Sequence, residues 1–274
     1  MKIIPLLILS AFTLSGFAQE KQDRTKRDYN LFRPTPKDQM RGFETDRPDA
    51  TESAYTVDAG HFQYETDLFK IERSTTNGIT TTGYTINGFN MKFGITNSLD
   101  LQVVAETFVS IKNTGESSSK TNTGFEMLTI RVKQNIWGND NGKSALAILP
   151  FVNFPTTPDN KISGGIVVPF GLSLPNNWGL GSQVEVDFET NQPGNGTHLN
   201  YLASATISHP LFTRCDFFAE AYALMDNGLK SYDYSLNAGL VYELKENIKL
   251  DSGLYYGLKN TSSKVFFVGL SFRF

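Results

Sequence analysis

The sequence predicts an all-β protein, an antiparallel up-and-down transmembrane β-barrel of about twelve strands. Three observations predict it. First, Phe266, Val268, Leu270, Phe272 and Phe274 are apolar at every second position and the chain stops on the last of them. Strict period two is a strand signal, and closing on an aromatic is how the final strand of outer-membrane barrels ends. Second, such alternation recurs from Ala59 onward in segments separated by turn residues. Third, the links after even-numbered segments are short, and most of those after odd-numbered ones are longer or more polar, the last two, near Asn227–Lys230 and Asn260–Ser262, being short.

The N-terminus carries a matching address. Lys2 is followed by a mostly apolar run, Ile3 to Leu14, and then by Gly16-Phe17-Ala18. This reads as a secretory signal peptide over residues 1–18, cleaved near Ala18, because the run is too short to span a bilayer. No later run is long and apolar enough for a membrane helix. The single cysteine, Cys215, excludes an internal disulfide framework and a Cys-based metal site. A formal net charge of −3 argues against nucleic acid as a partner. Twenty-one Phe and eleven Tyr in a polar chain suit a barrel with a wet interior and a lipid-facing outside. Residues 19–57 differ. Gln19 to Asp28 is charged and aperiodic, and Pro34, Pro36 and Pro48 exclude a long helix or central strand. This stretch is expected to be an irregular periplasmic tail or a plug, with the barrel over 58–274.

Twelve strands are expected, near 59–72, 81–95, 99–112, 123–137, 144–155, 163–174, 178–190, 197–209, 214–226, 231–243, 248–259 and 263–274. In the third, Leu99, Leu101, Val103, Ala105, Thr107, Val109 and Ile111 oppose Gln102, Glu106, Ser110 and Lys112. In the seventh, Val184, Val186 and Phe188 alternate with Gln183, Glu185, Asp187 and Glu189. In the tenth, Tyr232, Tyr234 and Tyr242 oppose Asp233 and Glu243. The fifth and ninth alternate weakly, because both faces are apolar. Links after even strands, such as Thr96–Ser98 and Pro175–Asn177, are short. Several after odd strands, Arg73–Thr80, Asn113–Asn122, Thr156–Ile162 and Asn191–Gly196, are longer. Outer-membrane barrels have this asymmetry, with both termini periplasmic. A soluble sandwich also alternates, but its strands are usually shorter, and it has no reason to sort loops by parity.

With the apolar face outward, the alternate face is a lumen. Its expected charged lining is Glu65, Asp67, Lys92, Glu106, Arg131, Lys133, Glu185, Asp187, Glu220, Asp251 and Arg273. Such a wall selects solutes by charge, or else its charges pair across the lumen and only hold the barrel in shape. Catalytic signatures are sparse. His61, His198 and His209 have no metal-ligand spacing, and nucleophile-elbow, phosphate-loop and dinucleotide motifs are missing from the sequence. Neither a catalytic site, a metal nor a cofactor is expected, and the chain does not read as an enzyme.

Residues 44–65 read ETDRPDATESAYTVDAGHFQYE, with Thr45-Asp46-Arg47-Pro48-Asp49, then Ser53, Thr56-Val57, Gly60, Gln63 and Glu65. Phe93-Gly94-Ile95-Thr96 and Leu149-Pro150 to Pro155 agree in style. This pattern resembles the family of outer-membrane proteins named for a meta-pathway of phenol degradation, and the resemblance runs from about residue 42 to the end. It implies a porin-like, transporter-type role in moving small, hydrophobic or aromatic molecules across a Gram-negative, Bacteroidetes-like outer membrane. The residues themselves suggest that Asp46, Arg47, Pro48 and Asp49 form a plug element. Its Arg47 would reach Glu65, Glu106 or Glu185, since guanidinium and carboxylate match bidentately. The alternatives are a lipid-modifying barrel enzyme and a structural barrel without transport. Expected partners are outer-membrane lipid, a small solute, and the barrel-assembly machinery through the C-terminal strand.

Overall fold

The structure, a computed structural model, describes residues 26–115, 118–125, 127–140, 142–156, 161–190 and 196–274. The expected signal peptide and residues 191–195 of the link expected over 191–196 lie outside the described residues.

The strands are β1 (Phe62–Thr76), β2 (Ile79–Thr96), β3 (Leu99–Gly115), β4 (Ser118–Gly124), β5 (Met127–Trp137), β6 (Ser144–Pro155), β7 (Ser163–Ser173), β8 (Gly179–Thr190), β9 (Thr197–Phe212), β10 (Cys215–Asp226), β11 (Ser231–Lys245), β12 (Ile248–Gly257) and β13 (Lys264–Arg273). Strands adjacent in sequence pair antiparallel, except β4 with β5, and β1 pairs with β13, so the sheet closes on itself. β4 and β5 are two parts of one stave. β3 pairs with β5 through Leu99–Ala105 and with β4 through Val109–Gly115. The result is a closed antiparallel barrel of twelve staves, in which every stave has a ladder partner on both sides.

The barrel inverts the usual relation of burial to polarity. Val184, Leu236 and Leu254 on its outside are each more than half exposed, whereas Gln102 and Lys133 inside are fully buried. Among the described residues, no helix is long and apolar enough to cross a membrane; the strands do so, presenting their apolar positions to lipid. Aromatic rings ring the short-turn end. Phe62 lies 5.2 Å from Phe93 and 6.4 Å from Phe274, and Tyr64 lies 5.3 Å from Phe272. The two weakly alternating strands now have a reason. Inward-facing Ala145 and Ala147 of β6 pack on Ala54 of the N-terminal segment. Inward-facing Phe218 of β10 is buried, its ring edge 2.5 Å from where a Cβ on Gly239 would sit.

Three expectations are corrected. The first ladder begins at Phe62, not at 59, because Gly60 adopts φ +74° and turns the chain in from the N-terminal segment. The link expected over 73–80 shrinks to Asn77-Gly78, both at positive φ, a two-residue hairpin turn whose twist matches the flanking strands. The link expected over 113–122 is mostly strand.

The third strand also does not keep one phase. β1 bulges between Asp67 and Phe69, Asn87 of β2 sits at φ +56°, and the β3 ladder to β4 and β5 is interrupted between Ala105 and Val109. These breaks lie at one level. Below it Asp67, Gly88 and Glu106 share the inward face; above it Lys70, Thr85 and Val109 do. Ser110 and Lys112, expected on the lumen face, therefore turn outward. Asn tolerates the left-handed region, and Asn87 Oδ1 accepts hydrogen bonds from Tyr64 Oη (2.7 Å) and Thr66 Oγ1 (3.1 Å).

A charge on the lipid face tests the inside–outside assignment. Val184→Arg, at the middle of β8, is expected to destabilise the barrel by about 2–4 kcal/mol in reversible unfolding from lipid vesicles. No loss would place Val184 in water.

Candidate functional site

Residues 41–58 cross the barrel interior without regular secondary structure, and inward side chains of the wall supply the hydrogen bonds that a helix or sheet would. Glu65 accepts from the amides of Asp46 (3.1 Å) and Arg47 (3.1 Å). Glu220 accepts from the amides of Ala50 (3.1 Å) and Thr51 (2.7 Å) and from Thr51 Oγ1 (2.6 Å). Gln183 Oε1 takes the Glu52 amide (2.6 Å), and Asp100 takes the Val57 amide (3.0 Å). Carbonyls are met in the same way: Tyr255 Oη donates to Pro48 O (2.5 Å) and Asn135 Nδ2 to Ala54 O (2.8 Å). Most of these donors and acceptors face inward because the strand period of two puts them there.

The charges interlock. Arg47 donates from Nη1 to Asp67 (2.6 Å) on β1 and from Nε and Nη2 to Asp251 (3.2 and 2.9 Å) on β12. A Cβ on Gly269 of the intervening β13 would lie 2.1 Å from Arg47 Nη2, so glycine there makes room for the guanidinium. Asp46 sits between two wall lysines, Lys92 (2.5 Å) and Lys133 (2.6 Å). Lys92 also pairs with Glu65, and Glu52 pairs with Arg131. Burial alone would raise the Asp46 pKa, but Lys133 and Lys92 overcome it and hold the carboxyl far below the usual range. Burial works against the Arg47 charge too, yet Asp251 and Asp67 hold its pKa above that of a free arginine. Asp49 is the exception. Burial, and next the Glu220 carboxylate, push it up to about 8.

At the short-turn end, Arg41 and Arg273 converge on Asp58. Arg41 Nε lies 3.4 Å from it and Arg273 Nη1 3.2 Å. Arg41 Nη1 also reaches Asp140 (3.3 Å), and Arg41 Nη2 donates to Thr56 O (2.9 Å). A cavity of about 630 Å³ opens beside them, lined in part by Glu44, Tyr55, Gln63 and Asn139. Beyond residues 46–52, toward the long-loop end, Lys70 pairs with Glu106 at 2.6 Å. Glu185 and Asp187 follow one another along the inward face of β8.

The structure thus brings Glu65, Asp67, Lys92, Arg131, Lys133, Glu220 and Asp251 onto residues 46–52, and leaves Glu106 with Lys70. Arg47 does not take the acids expected for it. Glu65 receives its backbone amide, and the side chain goes to Asp67 and Asp251 instead of Glu106 or Glu185. Sequence reasoning missed Arg41, Glu52, Asp58, Asp100 and Tyr255. Asp100 and Tyr255 occupy inward phases and were legible in principle. Arg41, Glu52 and Asp58 lie in an aperiodic stretch that gives no phase. His61 is not in a strand; its ring nitrogens lie 2.8 Å from Phe274 O and 2.7 Å from Thr35 O. Among the described residues, no group of three or more His, Cys, Asp or Glu is placed to hold a metal ion.

A closed barrel with an apolar outside and a polar interior occupied by its own N-terminal segment defines a membrane-spanning β-barrel of the outer-membrane type. The chain belongs to the family described as "Putative MetA-pathway of phenol degradation", whose profile matches residues 45–274. Among curated proteins, no sequence matches it. Among solved structures it is similar to the COG4313 outer membrane channel from Pseudomonas putida F1, at a TM-score of 0.57 and 12% identity, covering 84% of this chain and 100% of that one. It also aligns with the translocator domain of the autotransporter NalP from Neisseria meningitidis, at a TM-score of 0.48 and 14% identity over 78% of this chain and 88% of that one. The NanC porin gives 0.46 and 13% over 74% and 98%. At these identities the likeness is one of fold.

Arg47→Ala leaves Asp251 without its cation and Asp67 with only Lys70, 3.8 Å away. Breaking a buried pair costs about 3–5 kcal/mol, so residues 41–58 of the variant are expected to become cleavable by protease in the folded protein; continued protection would show that Arg47 does not anchor them. Asp49 gives a pH dependence. Its folded pKa exceeds the value of about 3.9 in the unfolded chain, so its penalty is absent below pH 4, accumulates toward pH 8 and then levels off. The slope is at most ~1.4 kcal/mol per pH unit. Asp49→Asn is expected to gain stability over the wild type as pH rises through that window, read from thermal unfolding at pH 4, 6 and 8; a constant difference would refute it.

Proposed function

We propose that this protein is a non-enzymatic outer-membrane channel for small molecules, with residues 41–58, centred on Asp46, Arg47, Pro48 and Asp49, serving as a plug. The observation that supports this best is where the interior charges find partners. Lys92, Lys133, Arg131, Asp67 and Asp251 all pair with Asp46, Glu52 or Arg47 of the segment, whereas the wall's own pairs, Lys92 with Glu65 and Lys70 with Asp67 and Glu106, join only the neighbouring β1, β2 and β3 and do not cross the lumen. A wall that existed only to brace the barrel would close its own pairs. Twelve staves enclose more room than the roughly eight whose side chains fill the interior, so withdrawal of the segment leaves a lumen lined by both signs of charge. Glu65, Asp67, Lys92, Glu106, Arg131, Lys133, Glu185, Asp187, Glu220, Asp251 and Arg273 are the proposed lining. Small hydrophobic or aromatic solutes are proposed on the family's description alone. The expected route is secretion with cleavage near Ala18, assembly guided by the strand ending at Phe274, and residence in a Gram-negative, Bacteroidetes-like outer membrane.

Planar-bilayer conductance tests this reading. The intact protein is expected to show small or infrequent steps, and a variant lacking residues 20–56 larger, steadier ones that a small aromatic acid blocks. Identical conductance from the two would sink the plug, and silence from both would sink the channel.

A further inference from the structure

The line of breaks across β1, β2 and β3 has a consequence on the outside of the barrel. Above it, Arg73 pairs in register with Lys264 of β13 on one side and with Thr82 of β2 on the other, and Thr82 pairs with Lys112 of β3. Directly cross-strand residues share a face. That face is the outer one, because Lys264 continues the outward row of Phe266, Val268, Leu270, Phe272 and Phe274. Next to it, Lys264 Nζ lies 4.9 Å over the outward-facing ring of Tyr256 on β12, and Lys259 Nζ 6.0 Å over that of Tyr234 on β11. Lys112, Arg73 and Lys264 thus form one basic row across the four neighbouring strands β3, β2, β1 and β13, and Lys259, in the link after β12 with its Nζ donating to Tyr232 O, extends it. At an inter-strand spacing of about 4.8 Å, Lys112 to Lys264 spans about 14 Å.

Among the described residues, no carboxylate lies within 4.0 Å of any of the four cations. The acids at this level alternate inward: Glu72 follows Lys70, Glu106 holds Lys70, and Asp233 accepts from Ser262 Oγ. Below the row the same strands present Phe69, Tyr84, Phe108 and Phe266, all exposed. The row stands at the long-loop end, away from Phe274 and the short turns, which is the external side of such barrels. Cations without a carboxylate partner, above an apolar and aromatic band, lie at headgroup depth, where long basic side chains reach the interface.

We propose that Lys112, Arg73, Lys264 and Lys259 form a docking surface for the phosphates of the anionic glycolipid in the outer leaflet. Arg73 offers the fork that matches phosphate bidentately, and the lysines act as point charges beside it. The assignment rests on the outer-membrane reading and is independent of transport and of the plug.

The test is native mass spectrometry of the refolded full chain titrated with bisphosphorylated lipid A, its dephosphorylated form, or phosphatidylglycerol. At about a fivefold effect per basic residue near an anionic surface, the Arg73→Ser/Lys112→Ser/Lys264→Ser variant is expected to retain lipid A roughly a hundredfold more weakly. The wild type should lose a similar factor toward the dephosphorylated form, and the charge-conserving Arg73→Lys/Lys112→Arg/Lys264→Arg variant should keep most of the binding. Heat-modifiable gel mobility verifies folding of each variant. Should the triple variant not fold, Lys264→Ser alone carries the test, with a loss of about fivefold. Unchanged retention in the serine variants, or equal retention of lipid A without its phosphates, overturns the docking surface. Equal retention of phosphatidylglycerol overturns its assignment to the glycolipid.

Discussion

The interior of this barrel depends on one constraint: a charge taken out of water must meet an opposite charge or a set of hydrogen bonds. Lys133 is fully buried and Lys92 nearly so, and both find Asp46. Asp67 and Asp251 find Arg47. Remove the segment that carries these groups, and the wall is left with basic groups on β2 and β5 facing acids on β1, β8, β10 and β12. Water can fill such a space, so wall and segment are complementary without the barrel requiring the segment in order to close.

The same constraint explains why the segment has no secondary structure of its own. Its amides point at carboxylates, whose charge-assisted hydrogen bonds are about twice as strong as neutral ones. Glu220 accepts two consecutive amides and a hydroxyl, and Glu65 accepts two consecutive amides. Proline at position 48 has no amide to satisfy, and Tyr255 meets its carbonyl. Cohesion is therefore almost wholly polar and sensitive to charge, with Ala54 and Tyr55 against Ala145 and Ala147 as the apolar contact. A contact of this kind can be changed by solute charge or pH in a way that a packed apolar core cannot.

Outside, the barrel solves the opposite problem. Lipid accepts no hydrogen bonds, so the ladder must close and polar side chains must leave the apolar band. Asn87 is the local exception: its amide sits on the outer face, bound by Tyr64 and Thr66. The phase change that it shares with β1 and β3 moves Arg73 and Lys112 to the outer rim and Lys70 to the inner one.

Much of this was legible in the chain. The alternation fixes which side of most strands faces lipid, as in β8 and β13, because a strand's side chains alternate whatever surrounds it. The inward placement of Glu65, Lys92, Lys133 and Asp251 follows from that alternation alone. Partners do not follow, because they depend on the separation of β1 from β12 across β13, which register and closure set. The aperiodic stretch 41–58 gives no phase, so Asp58, Arg41 and Glu52 carried no signal before the chain folded around them. The break line was equally hidden: one residue out of step in each of three adjacent strands leaves every local pattern plausible while reversing the faces above it. Sequence alone determined the architecture, because period two is a local property of the chain; only the tertiary structure decided which charges meet and which face each one reaches, because those depend on how twelve staves close around a segment that has no period of its own.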